Sequence, residues 1–181
     1  MNNKVVIADD EEPIPMPEKN KFVQQFTGTL SHAARIVRHD LLPAVNEIAS
    51  TQSAPTSKTM QQVERLANYI ARFQKGSVIY KTTEMILRAM YDSALRLHGK
   101  HKAGAILYHA NKDDPPESIG NIIEVLCKLP PNVVASIAEG EYCSQFLTGQ
   151  TAYWHRVILE QMGYPQPPNT CLLYTSDAAD E

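Results

Sequence analysis

The stretch Val133–Pro168, VVASIAEGEYCSQFLTGQTAYWHRVILEQMGYPQPP, decides the fold of the second half of this chain. Its apolar residues recur at helical spacing over a longer distance than anywhere else in the sequence. A Gly-Tyr-Pro sequence near its end is typical of a helix stop. The helix carries two carboxylates, Glu139 and Glu141, which cannot both face the same neighbour because residues two apart lie on different sides of a helix.

Short β-branched and aromatic runs before this helix indicate strands. They are Ser77–Tyr80, the run from Met85 to Ser93, Gly104–Tyr108 and Asn121–Leu126. The sequence Asn111–Pro116 is a strong turn signal between two of them. Strands followed by one crossover helix predict a sheet with that helix packed on its face.

The first part of the chain has a different pattern. Met1–Asn20 is acidic and proline-rich and predicts a flexible linker. Three amphipathic helices follow between Phe22 and Gly76, and a helical packing module is the default interpretation. Within this module, Asp40 is expected to cap the second helix and Pro43 to lie in its first turn.

Composition indicates a soluble globular protein of 181 residues, with 43% hydrophobic and 20% charged residues. No run approaches the roughly 18 apolar residues of a membrane span, and the N-terminus lacks a secretory signal. Three widely separated cysteines argue against a disulfide framework or zinc cluster, so we expect an intracellular, cytoplasmic or nuclear location. The chain between its two acidic ends is slightly basic, which permits a nucleic-acid partner without requiring one.

Two carboxylates form the candidate site. Asp92 ends a predicted strand and Glu141 lies early in the long helix. A carboxylate on the first strand facing another on the crossover helix would suit a hard divalent cation such as Mg²⁺. From the residues alone, ordinary solvated acids remain the simpler interpretation.

Four motifs together resemble copia-type LTR retrotransposon polyproteins. FVQQFTGTLSHAARIVRHDLLPAVNEIAS and PTSKTMQQVERLANYIARF resemble the segment after the reverse-transcriptase palm. MILRAMYDSAL resembles the first strand of the attached ribonuclease H domain, and the long helix resembles its S-x-A-E-A-E-Y-x-A helix and LGYPQPP exit. The resemblance covers roughly Phe22–Thr170, with the motifs in the family's order.

The resemblance implies roles for individual residues. Asp92 takes the place of the first metal-binding Asp, and Glu141 that of the metal-binding Glu, because it is the acid followed by an aromatic residue. The intact domain would use Mg²⁺ to cleave RNA in RNA–DNA hybrids. Lys100 and Lys102, in the basic loop after the Asp92 strand, would contact the hybrid backbone; a solvated hairpin turn is the alternative. Three further residues, Ala138, Tyr142 and Trp154, are expected to pack in the core.

The sequence also departs from the family. The final CLLYTSDAADE resembles a translated sequencing adapter, and the family's third carboxylate would fall at Tyr174. Two of the four expected carboxylates and the polymerase palm are missing, so the resemblance implies no efficient hydrolysis and leaves enzymatic activity uncertain. Cys171–Thr175 is apolar enough to imitate a strand, and we expect it to dock beside the strand of Asp92.

These observations predict an α+β chain with a helical segment at residues 21–76, a truncated ribonuclease H-like mixed sheet with one long packed helix at 77–170, and an artefactual tail at 171–181. The predicted function is that of an inactive retrotransposon reverse transcriptase/ribonuclease H fragment. The alternatives are a non-catalytic nucleic-acid-binding or scaffold fragment, and a fragmentary reading frame without selected function.

Overall fold

The chain forms two compact units, Met1–Ser77 and Val78–Glu181. A computed structural model describes residues 17–95, 101–115, 118–130, 134 and 136–174. The first unit is helical and the second contains a four-stranded mixed sheet, so the chain is α+β. The predicted linker at residues 1–20 lies outside the described residues except for residues 17–20, which begin a helix and are not a linker.

The helical unit contains α1 (Pro17–Ile36), a 3₁₀ turn (His39–Leu41), α2 (Leu42–Ser50) and α3 (Ser57–Arg72). Apolar residues at helical spacing form its buried interior: Val23, Ala34, Leu41, Leu42, Val45, Ile48, Val63 and Leu66. Thr56 starts α3 through a capping box with Thr59, which satisfies backbone donors that the first helical turn leaves free. The three predicted helices are therefore present.

Asp40 does not cap α2, contrary to the prediction. The cap position is Leu41, without a side-chain hydrogen bond, while Pro43 occupies the first turn as expected. Asp40 instead accepts two hydrogen bonds from Arg38, at 3.0 and 2.8 Å, and this contact lowers the pKa of Asp40. The third Arg38 nitrogen donates to the carbonyl of Phe73 at 2.9 Å, so Arg38 joins the 3₁₀ turn to the end of α3.

The second unit is built on β1 (Ile86–Leu95), β2 (His101–Ala110), β3 (Ile122–Lys128) and β4 (Cys171–Tyr174), in the spatial order β3-β2-β1-β4. β1, β2 and β3 are antiparallel neighbours, and β4 runs parallel to β1. Three of the predicted strands are thus present.

Ser77–Tyr80 does not form the predicted strand, since residues 73–85 have no regular secondary structure. Side-chain contacts fix this segment. Tyr80 donates its hydroxyl hydrogen to the carbonyl of Ile122 at 2.7 Å. Asn121 accepts from the Lys81 amide at 2.6 Å and donates to the Lys81 carbonyl at 2.9 Å. A side-chain amide therefore replaces the backbone partner that a strand would need.

The long helix α4 spans Ile137–Gln161 and packs on β1 and β2. Its buried face consists mainly of small residues at four-residue spacing: Gly140, Ser144, Thr148 and Ala152, followed by Leu159. The apolar core beneath it contains Leu87, Ala89, Tyr91, Ala105, Leu107 and Leu126. Gly163, with φ of +90°, ends the helix in a conformation suited to glycine, at the predicted stop.

β4 docks beside β1, as the apolar character of Cys171–Thr175 led us to expect. Its register places Cys171 opposite Arg88 and Tyr174 opposite Tyr91. The connection before it is fixed by Gln166, which accepts from the Leu87 amide and donates to the Met85 carbonyl, both at 2.9 Å.

Arg88 of β1 organises the turn between β2 and β3. It is buried, and its guanidinium donates to four backbone carbonyls at 2.7–3.2 Å, those of Asn111, Lys112, Asp114 and Pro115. The turn is closed by Asp114, which accepts from the Asn111 amide at 2.7 Å, a contact that lowers the pKa of Asp114.

We therefore expect Arg88→Met to lower the free energy of unfolding of the sheet unit by about 2–4 kcal/mol, because four partly buried carbonyls lose a buried charged donor. The free energy of unfolding of Arg88→Lys should lie between those of the parent and Arg88→Met. The lysine ammonium keeps the charge but lacks the planar fork of the guanidinium. Urea unfolding measures the effect. Lys112→Met, at an exposed position of the same turn, is the control and should stay within about 0.5 kcal/mol of the parent. An equally small effect for Arg88→Met would contradict this assignment.

Candidate functional site

Asp92 lies on the sheet face that points away from α4. It pairs with Gly104 of β2, is exposed, and accepts a hydrogen bond from the Ser93 amide at 2.7 Å. Successive side chains of a strand alternate between the two faces. Because Leu87, Ala89 and Tyr91 belong to the core beneath α4, Ser93 shares their face and Asp92 does not.

Glu141 lies in the second turn of α4 and turns inward. One of its carboxylate oxygens is buried, with no hydrogen-bond partner among the described residues. Glu139 is exposed, and Ser136 caps the helix by accepting a hydrogen bond from the Glu139 amide at 3.1 Å. The prediction that Glu141 faces the sheet and Glu139 does not is confirmed.

The residues beneath the start of α4 are polar. A Cβ at Gly140 would collide with Nδ1 of His101 and lie 3.1 Å from Oγ of Ser93, so these two side chains occupy the space above the glycine. His101 is only 4% exposed and Ser144 only 1%. The polar atoms His101 Nδ1, Ser93 Oγ and Ser144 Oγ are buried and have no hydrogen-bond partner in the described part of the chain.

This polar cluster is not predicted from the sequence. The basic loop predicted around Lys100 and Lys102 includes position 101, whereas His101 is the first residue of β2. The signal that could have found it is strand alternation: once β1 and β2 are paired, Ser93 lies opposite Ala103, and His101, two positions before Ala103, is on the same face as Tyr91. Gly140, in turn, is the helix position where a missing side chain allows that cluster to fit.

Asp92 and Glu141 therefore do not share a site. The buried oxygen of Glu141 is on the helix side of the sheet, and Asp92 is on the other side, exposed. Within the described ranges, no group of three or more His, Cys, Asp or Glu side chains is arranged to hold a metal ion. The donor set does not fit the paired-carboxylate Mg²⁺ site that the resemblance implies, because opposite faces of a sheet cannot direct two carboxylates at one ion.

The predicted nucleic-acid contacts are only partly placed. Lys100 falls outside the described residues. Lys102 lies within β2 opposite Ala94, on the same sheet face as Asp92, and is half-buried. Lys102 is thus part of a strand, and only its sheet face is established.

Several side chains expected in the core are on the surface. Tyr142 is 72% exposed, Trp154 is 66% exposed, and Ala138 is exposed too, so the packing predictions for these three residues are wrong. The cause is the direction of α4, whose small residues face the sheet. The long aromatic side chains are left on the outer side of the helix.

A second polar contact joins α4 to the far edge of the sheet. His155 lies 2.7 Å from the Glu124 carboxylate of β3, and His109 of β2 is close enough for the charge on His155 to affect it. Burial, with His155, lowers the pKa of His109 below its usual range. The Nε2 atom of His109 is buried without a hydrogen-bond partner among the described residues.

No family model and no curated protein matches this chain. Among the described residues, no helix combines the length and apolar character that a membrane crossing requires.

The lowered pKa of His109 predicts an acid-sensitive sheet unit. The unfolded chain takes up the His109 proton near pH 6.5, whereas the folded unit resists it. The stability associated with neutral His109 is therefore fully present above about pH 6.5 and is lost as the pH falls through the lower folded pKa. His109→Gln should make the stability of the sheet unit fall less steeply between about pH 7 and 5.

Urea unfolding at several pH values, followed by circular dichroism and by Trp154 fluorescence, measures this slope. Trp154 is the single tryptophan and belongs to α4, so its signal reports on the sheet unit. His32→Gln, at an exposed position in α1, is the matched control and should leave the slope unchanged. Identical slopes for His109→Gln and the parent would contradict the role of His109.

Proposed function

We propose that the chain is a non-hydrolysing fragment of a copia-type LTR retrotransposon polyprotein. It would comprise a helical connection-like segment and a truncated ribonuclease H-like domain, in an intracellular setting. The observation that carries the proposal is the element order: three antiparallel strands are followed by a crossover helix that returns the chain to the edge of β1. The inward-facing Glu141 near the start of that helix supports it further.

The positions of the carboxylates support the non-hydrolysing part of the proposal. Nucleases with two metal ions hold them about 3.5–4 Å apart. Two dications at about 4 Å repel each other by roughly 17 kcal/mol at an effective dielectric constant near 20. Several carboxylates on one side of the sheet must offset that repulsion. In this chain Glu141 is on the helix side of the sheet, and Asp92 is on the opposite side.

The cofactor of the intact family is Mg²⁺, and its substrate is an RNA–DNA hybrid. Because Asp92 and Glu141 lie on opposite faces, no reaction step through a metal ion follows for this chain. β4 occupies the edge beside β1 at the place where the resemblance puts a carboxylate-bearing strand, but its residues are Cys171–Tyr174. We propose that the adapter-like tail imitates the missing strand by its apolar character alone.

We expect the purified chain to leave a labelled RNA–DNA hybrid intact in Mg²⁺. Gel analysis of the RNA strand, over hours and at several enzyme concentrations, measures cleavage. The controls are Asp92→Asn and Glu141→Gln, which should be indistinguishable from the parent. Metal-dependent turnover that both substitutions abolish would overturn the proposal that the chain is inactive.

A carboxylate at position 93 should create the missing pair with Glu141, because Ser93 lies on the helix side of β1. Without metal, Ser93→Asp is expected to lower stability by about 1–3 kcal/mol, since it buries a charge. Mn²⁺ or Mg²⁺ should restore much of that loss by binding only the folded state. The thermal midpoint with and without metal measures both effects.

Ala94→Asp is the matched control, since Ala94 is exposed and on the opposite sheet face. It should show neither the loss of stability nor the response to metal. Equal metal responses in Ser93→Asp and Ala94→Asp would contradict the assignment of position 93 to the site of Glu141.

A non-catalytic binding or scaffold fragment is the second candidate function. One observation favours protein over nucleic acid as its partner: the exposed aromatic residues of α4 lie in a segment, residues 142–154, that contains no Lys or Arg. Phosphate contacts need such cations, and binding through them weakens steeply with salt. Salt-dependent binding of a hybrid without cleavage would favour the nucleic-acid alternative instead.

A further inference from the structure

A cleft of about 580 Å³ lies between α4 and the edge strand β3. Its walls include Thr151, Trp154 and Ile158 of α4, and its charged side is formed by Glu124 of β3 with His155 of α4. Sites that bind small molecules have volumes of roughly 300–1,000 Å³. The cleft, which we call the α4–β3 cleft, is therefore large enough for a small organic ligand.

The carboxylate of the cleft comes from Glu124. This residue pairs with Leu107 of β2, which is buried beneath α4, so its side chain is on the helix side of the sheet. His155 lies 2.7 Å from one of its oxygens, and 38% of the Glu124 side chain remains exposed. A carboxylate that has lost part of its hydration attracts a nearby cation more strongly than one in bulk water.

The aromatic wall of the cleft is Trp154. The neighbouring ring of Tyr153 lies against it with a centroid separation of 5.4 Å and an interplanar angle of 72°, an edge-to-face contact that favours one orientation of the indole. Cations within about 6 Å of a ring face are attracted by its negative charge density, and Trp attracts them most strongly. Trp154 and Glu124 therefore favour the same kind of ligand.

The basic residue of α4 is directed away from the cleft. Arg156 is the single Lys or Arg of this helix. It pairs with Glu160 at 3.1 Å and donates to the carbonyl of Gln166 at 3.4 Å. Two positions along a helix correspond to a rotation of about 200°, so Arg156 and Trp154 lie on opposite sides of α4. The guanidinium therefore does not fill the place of a cationic ligand beside Trp154.

We propose that the α4–β3 cleft binds a quaternary ammonium head group. Its positive charge lies against the ring of Trp154 and close to the carboxylate of Glu124. Its methyl groups contact the apolar surface of Ile158 and Thr151. The proposal goes beyond the ribonuclease H-like assignment and does not depend on it.

The contact between His155 and Glu124 favours a quaternary ammonium over a primary amine or a guanidinium. Both of the latter bind carboxylates through N–H donors, and His155 already occupies one oxygen of Glu124. A quaternary ammonium has no N–H group, so it requires only negative charge and an aromatic face. Aromatic residues recognise such ions through the cation–π interaction.

Fluorescence of the full chain tests binding directly, because Trp154 is the single tryptophan. Choline should change its emission saturably, with a Kd of about 1 mM or below. The titration is made at about pH 8, above the usual titration range of imidazole, with sodium chloride added to keep the ionic strength constant. A chain without a saturable response up to about 50 mM choline would overturn the proposal.

Two further ligands separate charge recognition from apolar binding and from hydrogen bonding. The neutral isostere of choline, in which carbon replaces the nitrogen, and ethanolamine should each bind at least about tenfold more weakly than choline. Equal affinities of choline and either compound would contradict the proposal. This comparison requires no substitution, so it decides the question even where a variant fails to fold.

Substitutions of the carboxylate test its charge. Glu124→Gln should raise the Kd for choline at least about fivefold, whereas Glu124→Asp, which keeps the charge, should stay within about threefold of the parent. Glu139→Gln, at an exposed carboxylate of the same helix outside the cleft, is the matched control and should leave the Kd unchanged. Equal Kd values for Glu124→Gln and the parent would exclude a role of the carboxylate.

Substitution of the indole tests the aromatic wall. Trp154→Leu keeps apolar bulk but removes the ring, and should raise the Kd about tenfold, measured by calorimetry. Phe146→Leu removes an exposed ring of α4 outside the cleft and is the matched control. Because both side chains are exposed, the circular dichroism spectra should match that of the parent. Unchanged binding by Trp154→Leu would refute the assignment.

A peptide with one trimethyllysine identifies the source of the head group. It carries the same ammonium group as choline, and its unmethylated counterpart is the control. A Kd at least about tenfold below that of choline would assign the cleft to a methylated side chain of a protein. A higher Kd than that of choline would assign it to a free small molecule. Equal binding of the methylated and unmethylated peptides would contradict recognition of a quaternary ammonium.

Discussion

The close contact between α4 and the β1–β2 pair determines most of the second unit. A helix can lie this near to a sheet only if its inward side chains are small, and Gly140, Ser144, Thr148 and Ala152 meet that requirement at four consecutive turns. At the first of these positions even a methyl group would collide with His101. The small face fixes the rotation of the helix, and the rotation determines which side chains point inward and which point to solvent.

Two consequences follow from that rotation. Glu141, one residue after Gly140, is carried under the helix, where one of its oxygens is buried. The large side chains, two positions away from the small ones, are carried to the outer surface. The inward polar cluster and the outward aromatic side chains are therefore two results of the same packing contact, and a change in the helix rotation would alter both together.

Much of the architecture could be predicted from sequence because it depends on local patterns. The helices, three of the strands and the stop at Gly163 follow from periodicity and from residues with special backbone preferences. The two wrong predictions in this part of the architecture, the Asp40 cap and the strand at Ser77–Tyr80, have a common cause. Asp40 prefers a bidentate contact with Arg38 to a capping role, and Tyr80 and Lys81 find partners around Asn121 and Ile122 instead of a strand. Tertiary partners decided these cases, and local sequence does not identify them.

The candidate site was harder to predict because it depends on a single-residue register. In a strand, a shift of one position moves a side chain to the opposite face of the sheet. The sequence places Asp92 and Ser93 side by side, and only the core beneath α4 shows that Ser93 is the inward residue. A carboxylate motif in the sequence does not show which of two neighbouring strand residues points toward the helix. The inward direction of Glu141 can be predicted from the sequence because it follows from helix periodicity. Periodicity fixes the direction of Glu141 relative to that of Glu139 and does not require the strand register.

The two faces of α4 also differ in what their energetics permit. The inner cluster buries oxygen and nitrogen atoms without partners among the described residues, which opposes folding and must be offset by the surrounding apolar contacts. The outer face leaves the aromatic side chains of Tyr142, Phe146 and Trp154 largely in water. Substitutions on the inner face therefore alter the stability of the folded unit, whereas substitutions at the exposed positions of the outer face should alter that stability little.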